Sequence, residues 1–309
     1  MYFFILIILI VIYILYKLVV YKVKLKLNGV FIDKTKLWMI KPDLTNYLST
    51  LSIYEIISKT NKKQPKDELL FYYTNHVLEF TIKEKYALNT YIHYISTHYG
   101  KFPFLTKNWN FVKLSNKLEK AMPFTLGKFI YLPSYYVDKL EYIHKSRNID
   151  FIAVCDTLIH EKIHILQRYN PPIFHHFYIK YLKYIHVKSY NIILTENWIK
   201  LHFKNPDGLD IHWILQYENS YYIPLLIFTN KIKQIVIKLH KIGNKYYTTN
   251  TYIDATKWEY FKIYPNGTSV YHPNEISAYI LPKLILKTEL FSENITNTFD
   301  ILLNNLKND

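Results

Sequence analysis

Residues 150–169 form a predicted helix whose sequence restricts the fold more than any other segment of this chain. Its apolar residues recur at helical spacing, and the sequence Asn-Pro-Pro at 170–172 ends it. Inside the helix, the sequence HEKIH places His160 and His164 four residues apart. Side chains at that spacing lie on one face of a helix, so the fold must place two imidazoles next to each other.

Two neutral imidazoles on one helix face can bind a single zinc ion. Glu161 lies about 100° round the helix from His160, close enough to reach a water molecule on that metal. Zinc lowers the pKa of such a water, and a carboxylate can take its proton while the hydroxide attacks a carbonyl carbon. The residue types therefore predict a hydrolytic zinc site with Glu161 as the general base.

Two further patterns place this helix in an α+β fold. Residues 121–133 alternate in polarity, which predicts a strand that can form the edge above a cleft. Residues 205–265 contain Tyr-rich and β-branched runs separated by Asn, Gly and Lys, which predicts a β-meander. From His272 the chain returns to helix, with Pro273 suited to the first helical position and Pro282 ending or kinking the helix.

The sequence HEKIH resembles the active-site helix of the zincin metallopeptidases, and the chain resembles their gluzincin branch. In that branch, a glutamate on a second helix is the third zinc ligand. The metzincin variant is excluded, because Gln167 and Asn170 occupy the positions of its glycine and its third histidine. Glu275, in the sequence NEISAY, is similar to the glutamate of the gluzincin pattern Asn-Glu-x-x-Ala. The resemblance implies that His160, His164 and Glu275 bind Zn²⁺.

Alternatives remain open around this site. Glu275 can instead favour the dipole of the helix that follows Pro273, and Glu196 or Glu218 is then the third ligand. Asp156, one turn before His160, can hydrogen-bond the second nitrogen of that imidazole or lie on the helix surface. By the resemblance, three residues near Glu275 are candidates for stabilising an oxyanion: Tyr271, His272 and Tyr279.

Two observations concern side chains that are expected to lie away from the zinc. Lys162 lies about 200° round the helix from His160, so its side chain is expected to point away from the metal. The other histidines show no second spacing typical of a metal site, and solvated or core positions are expected for them. They include His175, His176, His186 and His202.

The N-terminal segment predicts a membrane anchor. Residues 2–21 are apolar apart from Lys17, and twenty residues of helix span about 30 Å. Lysines follow the segment, so the positive-inside rule places the rest of the chain in the cytosol. Cys155 is the single cysteine, which agrees with a reducing compartment. The glycosylation sequons at Asn266 and Asn294 would be used only in the reverse orientation.

The formal charge of +15 does not by itself indicate a nucleic-acid partner. Of the 39 basic residues, only Arg147 and Arg168 are arginine, the residue best suited to bidentate phosphate contacts. The excess of Lys and Tyr is typical of AT-rich genomes such as those of some large DNA viruses. Nucleic-acid binding is therefore disfavoured, and the predicted membrane is that of a host cell or a virion.

Together these patterns predict three segments and a function. The segments are a transmembrane anchor at 1–22, a helical N-terminal region at 23–120 that opens with a short hairpin, and a zincin-like domain at 121–309. In that domain the β-meander separates the two ligand helices. The predicted function is a membrane-anchored zinc metallopeptidase acting on peptides or proteins. The alternative is a structural or interaction protein of a membrane or virion with an inactive or fortuitous HExxH motif.

Overall fold

A computed structural model describes residues 10–13, 29–144, 149–207 and 212–307. The longer helices of these ranges are α1 (Lys41–Ser49), α2 (Ile53–Thr60), α3 (Leu69–Asn75), α4 (Ile82–His98), α5 (Ser134–Ile143), α6 (Ile149–Tyr169), α7 (Pro171–Lys180), α8 (Glu196–Leu201), α9 (Pro273–Leu286) and α10 (Glu293–Lys307). The strands are β1 (Gly29–Ile32), β2 (Val77–Leu78), β3 (Trp109–Leu114), β4 (Phe124–Leu126), β5 (Phe129–Pro133), β6 (Tyr184–His186), β7 (Ile192–Ile193), β8 (Trp213–Tyr217), β9 (Ser220–Phe228), β10 (Ile232–Ile242) and β11 (Lys245–Asp254).

The first sheet has the order β1-β3-β5-β4, and β2 also pairs with β3. Strands β1, β3 and β5 are parallel, whereas β4 runs antiparallel to β5 and forms an edge. Strands β3 and β5 are buried along their whole length, as parallel strands with both faces covered are. Phe111 and Ile130 belong to a core with residues of α4, α5 and α6, and Val112 and Tyr131 belong to a core with residues of α1, α2 and α3.

One local prediction in this region is wrong. Residues 121–133 form a hairpin of β4 and β5 rather than one strand, because Gly127 adopts a φ of 52° in the turn between them. The first strand and the turn residue Asn28 of the hairpin expected at 23–40 lie outside the described residues. Strand β1 pairs in parallel with β3, and a 3-10 helix follows at Lys34–Met39.

The second sheet has the order β6-β8-β9-β10-β11-β7. Strands β8 to β11 lie in the region where the sequence predicts a β-meander, and each pairs antiparallel with the next. Strand β7 adds in parallel to β11. Strands of both the 23–120 and the 121–309 segment share the first sheet, and the division of the chain at 120 stays a prediction.

Helices α6 and α9 pack against each other on the side of the first sheet that carries α4 and α5. Helix α6 covers the predicted range, and its buried face is the expected apolar one. Helix α9 begins after His272, whose Nδ1 accepts a hydrogen bond from Asn274 N at 3.1 Å, and Pro273 is its first residue. Pro282 does not end it, since the helix continues to Leu286.

The fold-class prediction included an N-terminal transmembrane helix, and this part of it is contradicted. No helix in the described ranges is long and apolar enough to cross a membrane, which takes about 20 apolar residues. Of the predicted anchor at 1–22, the structure describes the helical residues 10–13, and the remainder lies outside the described residues. The predicted localisation as a single-pass membrane protein is contradicted by the same finding.

Candidate metal centre

Helices α6 and α9 bring the three predicted metal ligands together. His160 Nε2 lies 3.0 Å from His164 Nε2. Glu275 Oε2 lies 3.8 Å from His160 Nε2, and Glu275 Oε1 lies 3.5 Å from His164 Nε2. Zinc held tetrahedrally at about 2.0–2.1 Å separates its ligand atoms by roughly 3.4 Å. This largely buried group, in which His160 keeps 24% side-chain exposure, could therefore hold a metal ion.

A hydrogen bond fixes which nitrogen of His164 faces the group. His164 Nδ1 donates to Gln167 Oε1 at 2.9 Å. The amide of Gln167 is itself oriented, because its Nε2 donates to Asn274 O at 2.8 Å and to Ser277 Oγ at 3.1 Å. With Nδ1 protonated, the lone pair of His164 lies on Nε2, the atom that faces His160 and Glu275.

Burial sets the protonation of both imidazoles. It lowers the pKa of His160 to about 3, with the neighbouring His164 as the next cause. It lowers the pKa of His164 to about 3 as well. Both rings are therefore neutral near pH 7, and a neutral imidazole is the form that binds a metal ion.

Glu161 lies next to the ligand group with one oxygen that lacks a hydrogen-bond partner. Its side chain is 4% exposed, and Oε2 is buried without a partner. Burial raises the pKa of Glu161 well above its usual range, and the nearby Asp207 and Glu275 raise it further. An unpartnered buried carboxylate oxygen is costly, so this atom fits a site completed by a cation and its water.

The local balance of charge also fits a cation. Burial raises the pKa of Glu275 to about 8, and the adjacent Asp207 contributes to the shift. Burial raises the pKa of Asp207, while hydrogen bonds from Thr125 and the charge of Arg168 lower it. Three buried carboxyl groups thus face one another, and a divalent cation between them would relieve their repulsion.

The sequence analysis did not identify two residues of the segment before β8. Asn205 Nδ2 donates to Glu275 Oε1 at 3.0 Å and also to Tyr271 Oη. Asp207 Oδ1 accepts from the backbone nitrogen of Thr125 at 2.7 Å and from its hydroxyl at 2.5 Å. This segment therefore links α9 to the edge strand β4 at the metal group. Only the turn-forming sequence Asn-Pro-Asp-Gly marks it.

Arg168, one turn after His164 on α6, holds the same edge strand. Its guanidinium donates to Gly127 O at 2.8 Å and to Thr125 O at 3.3 Å. Since Asp207 takes the backbone N–H of Thr125, both backbone groups of that residue have partners within the chain. Residues 122–124 are the part of this edge that lines the neighbouring cleft.

A cleft of about 900 Å³ opens over the metal group. Its floor contains His160, Glu161, Asp207 and Glu275, and Tyr271 lies beside them. Its other walls come from residues 122–124, from the start of β10 and from the end of β11. The cleft therefore lies between the edge of the first sheet and the second sheet.

The other predicted candidates lie elsewhere. Glu196 is exposed on α8 and pairs with Lys200 at 2.5 Å, and Glu218 lies in the turn between β8 and β9, so neither replaces Glu275. Asp156 pairs with Lys283 at 3.2 Å, and its other oxygen has no hydrogen-bond partner, so it does not orient His160.

Lys162 points away from the metal group, as predicted. Its amine donates to Lys107 O at 3.1 Å and to Asn108 O at 2.8 Å. Of the three oxyanion candidates, Tyr271 lines the cleft, His272 caps α9, and Tyr279 lies within 3.5 Å of Asn266 O.

Comparisons with known proteins leave the chain without an assigned family. No family model matches the sequence, and neither a curated protein nor a solved structure matches it. The function must therefore be inferred from the site itself.

Proposed function

We propose that this protein is a zinc-dependent metallopeptidase of the zincin type. The observation that carries the proposal is the position of Glu161, whose buried, unpartnered Oε2 lies next to a His160, His164 and Glu275 group that could hold a metal. Two histidines, a glutamate and an adjacent carboxylate are the donor set of hydrolytic zinc sites. Zinc fits this set better than calcium or magnesium, which take oxygen ligands.

Bound Zn²⁺ would polarise the scissile carbonyl and lower the pKa of a water molecule in the cleft. Glu161 Oε2 accepts the proton of the attacking water and then delivers it to the leaving amine. A bound cation would offset the carboxylate repulsion that raises the pKa of Glu161, and so favour the ionised form that takes the proton. The Tyr271 hydroxyl, on the cleft wall, hydrogen-bonds Glu275, and it would donate to the oxyanion only by giving up that bond.

The cleft supports a peptide as the substrate. It runs past the start of the edge strand β4, where Met122, Pro123 and Phe124 line it. An extended peptide can pair with an exposed sheet edge through main-chain hydrogen bonds. Thr125 is not part of that surface, because Asp207 and Arg168 bind its backbone.

Peptide hydrolysis by the full-length protein with added Zn²⁺ tests the proposal. Mass spectrometry of a mixture of unstructured peptides is expected to show cleavage that a strong chelator stops. Glu161→Gln is expected to retain zinc and lose about 10²–10⁴-fold in rate, because the proton acceptor is removed. Glu259→Gln, at an exposed glutamate, is the matched control and should retain full activity.

Two results would overturn the proposal. Unchanged hydrolysis by a zinc-loaded Glu161→Gln variant would exclude Glu161 as the base. A zinc-loaded parent that cleaves none of the peptides would exclude the peptidase function and favour the interaction-protein alternative.

A further inference from the structure

Three histidines that are far apart in sequence form a cluster on one surface of the protein. His175 lies on α7, His186 ends β6, and His212 directly precedes β8. The ring centroids of His175 and His186 are 5.3 Å apart, and those of His186 and His212 are 5.5 Å apart. His186 is the central member, and Trp213 contacts both His175 and His186.

This cluster forms the outer part of a cavity of about 280 Å³. His164 and His272 line the same cavity, so five of the 13 histidines of the chain meet there. His175 and His186 are exposed and His212 is half-buried, whereas His164 is 2% exposed. The cavity therefore has accessible imidazoles at its surface and a buried one at its inner end.

Backbone hydrogen bonds join the two segments that carry His186 and His212. Val187 N donates to His212 O at 2.7 Å, and His186 pairs with Trp213 in the β6–β8 ladder. The side chain of His212 is oriented as well, because its Nδ1 donates to Val187 O at 3.0 Å. A histidine whose Nδ1–H binds a backbone carbonyl carries its lone pair on Nε2, the arrangement typical of metal-ligating histidines.

The surroundings of His175 disfavour positive charge on its ring. Crowding by neighbouring side chains lowers the pKa of His175, and the proximity of His212 lowers it further. Neutral imidazoles are good ligands for Zn²⁺, Cu²⁺ and Ni²⁺ and poor ones for Mg²⁺ or Ca²⁺.

We propose that His175, His186 and His212 form a second transition-metal site, separate from the group on α6 and α9. In the described ranges, His160, His164 and Glu275 are the only group of three metal-binding side chains whose ligand atoms lie within 4.8 Å of one another. The surface cluster does not bring three ligand atoms that close together, so we expect two neighbouring histidines, one of them His186, to hold the metal, with water completing the coordination. The second site is accordingly expected to be weaker than the first, which has three close ligand atoms. It uses no residue of the first site and does not depend on peptide hydrolysis.

Calorimetric titration of the full-length, zinc-loaded protein with Cu²⁺ tests this inference. We expect a binding event in addition to the tightly held metal, and nitrogen hyperfine structure in the electron paramagnetic resonance spectrum of the bound Cu²⁺. His186→Ala removes the shared ligand and should weaken the event by at least about tenfold. His175→Gln should weaken it less and reduce the number of coordinating nitrogens.

His176→Ala is the matched control, because His176 is exposed beside His175 on α7 and contacts Tyr181 instead. Its titration should equal that of the parent. The inference is overturned if the parent shows no such event, or if the event keeps its affinity in a folded His186→Ala variant. Failure of the first site would appear differently, as loss of the tightly held metal with the weaker event still present.

Discussion

Two buried glutamates line the same cleft in opposite surroundings. Glu119 accepts hydrogen bonds from Lys59 Nζ at 2.6 Å, from Tyr73 Oη at 2.6 Å and from Tyr47 Oη at 2.8 Å. Glu161 is as deeply buried, yet its Oε2 has no partner and other carboxyl groups are its neighbours. A buried carboxylate with a full set of donors maintains structure, whereas one without donors marks a place that a ligand completes.

Glu119, the glutamate whose carboxylate has a full set of donors, also stabilises a strained stretch of backbone. Glu119, Lys120 and Ala121 have φ values of 50°, 55° and 55°. Consecutive left-handed residues other than glycine cost about 1–2 kcal/mol each. The buried Lys59–Glu119 pair holds this turn, which leads directly into the cleft-lining residues 122–124. Glu119 thus stabilises a wall of the cleft, whereas Glu161 is the glutamate available for chemistry in it.

The largest effect on stability is expected from substitution of Glu119. Glu119→Ala leaves the fully buried ammonium of Lys59 unpaired and should lower the free energy of unfolding by about 3–5 kcal/mol. Urea denaturation measures the loss. Glu259→Ala, which breaks an exposed pair with Lys262, should cost less than about 1 kcal/mol. Equal losses in the two variants would remove the distinction drawn for Glu119.

The next largest effect is expected on zinc affinity, when Gln167, which orients His164, is replaced. Gln167→Ala removes the acceptor of His164 Nδ1–H and should weaken zinc binding by about 10–100-fold, with the protein still folded. Competition with a chromophoric chelator measures the affinity. Gln216→Ala, at an exposed position of β8, should leave it unchanged. An unaltered affinity in Gln167→Ala would show that the hydrogen bond does not contribute to binding.

His202 is a half-buried histidine outside the metal group, and its Nδ1 lies 3.8 Å from Glu55 Oε1. Burial lowers the pKa of His202 to about 4, while Glu55 raises it in part. The unfolded chain therefore takes up a proton near pH 6.5 and the folded chain does not until about pH 4. Stability is full above pH 6.5 and falls as the pH drops from there toward 4.

In urea titrations at pH 7.5 and pH 5, His202→Gln should remove roughly 1–2 kcal/mol of this loss of stability. His240→Gln, at an exposed position of β10, should behave as the parent. If the parent and His202→Gln lost the same stability between pH 7.5 and pH 5, protonation of His202 would not be a cause of that loss.

The smallest effect is expected at Glu161 and has the opposite sign. A buried carboxyl whose pKa is raised destabilises the folded state above its unfolded pKa, so Glu161→Gln should stabilise the metal-free protein at pH 7. Thermal unfolding in the presence of a chelator measures this. Glu119→Gln makes the same chemical change at the satisfied glutamate and should destabilise the protein. If Glu161→Gln and Glu119→Gln both destabilised the protein, the two glutamates would not differ in this way.

The sequence predicted features that local periodicity encodes. Helix α6 and the spacing of His160 and His164 follow from a 3.6-residue pattern, and strands β8 to β11 of the second sheet follow from their turn residues. It missed features that depend on tertiary contacts. Gln167 was noted only for its departure from a family pattern, and Asn205 and Asp207 act through residues 70 and 82 positions away. The hairpin at 121–133 escaped prediction because alternation continues through Gly127.

Elemental analysis of the full-length protein, after dialysis against a weak chelator, tests the metal centre most directly. The parent and an exposed-histidine control, His240→Ala, should each retain one zinc ion per chain. His160→Ala and Glu275→Ala should retain almost none, since each removes one of three ligands. A folded parent that binds no zinc after reconstitution would contradict a metal centre at this site. Zinc retained in full by Glu275→Ala would contradict Glu275 as the third ligand.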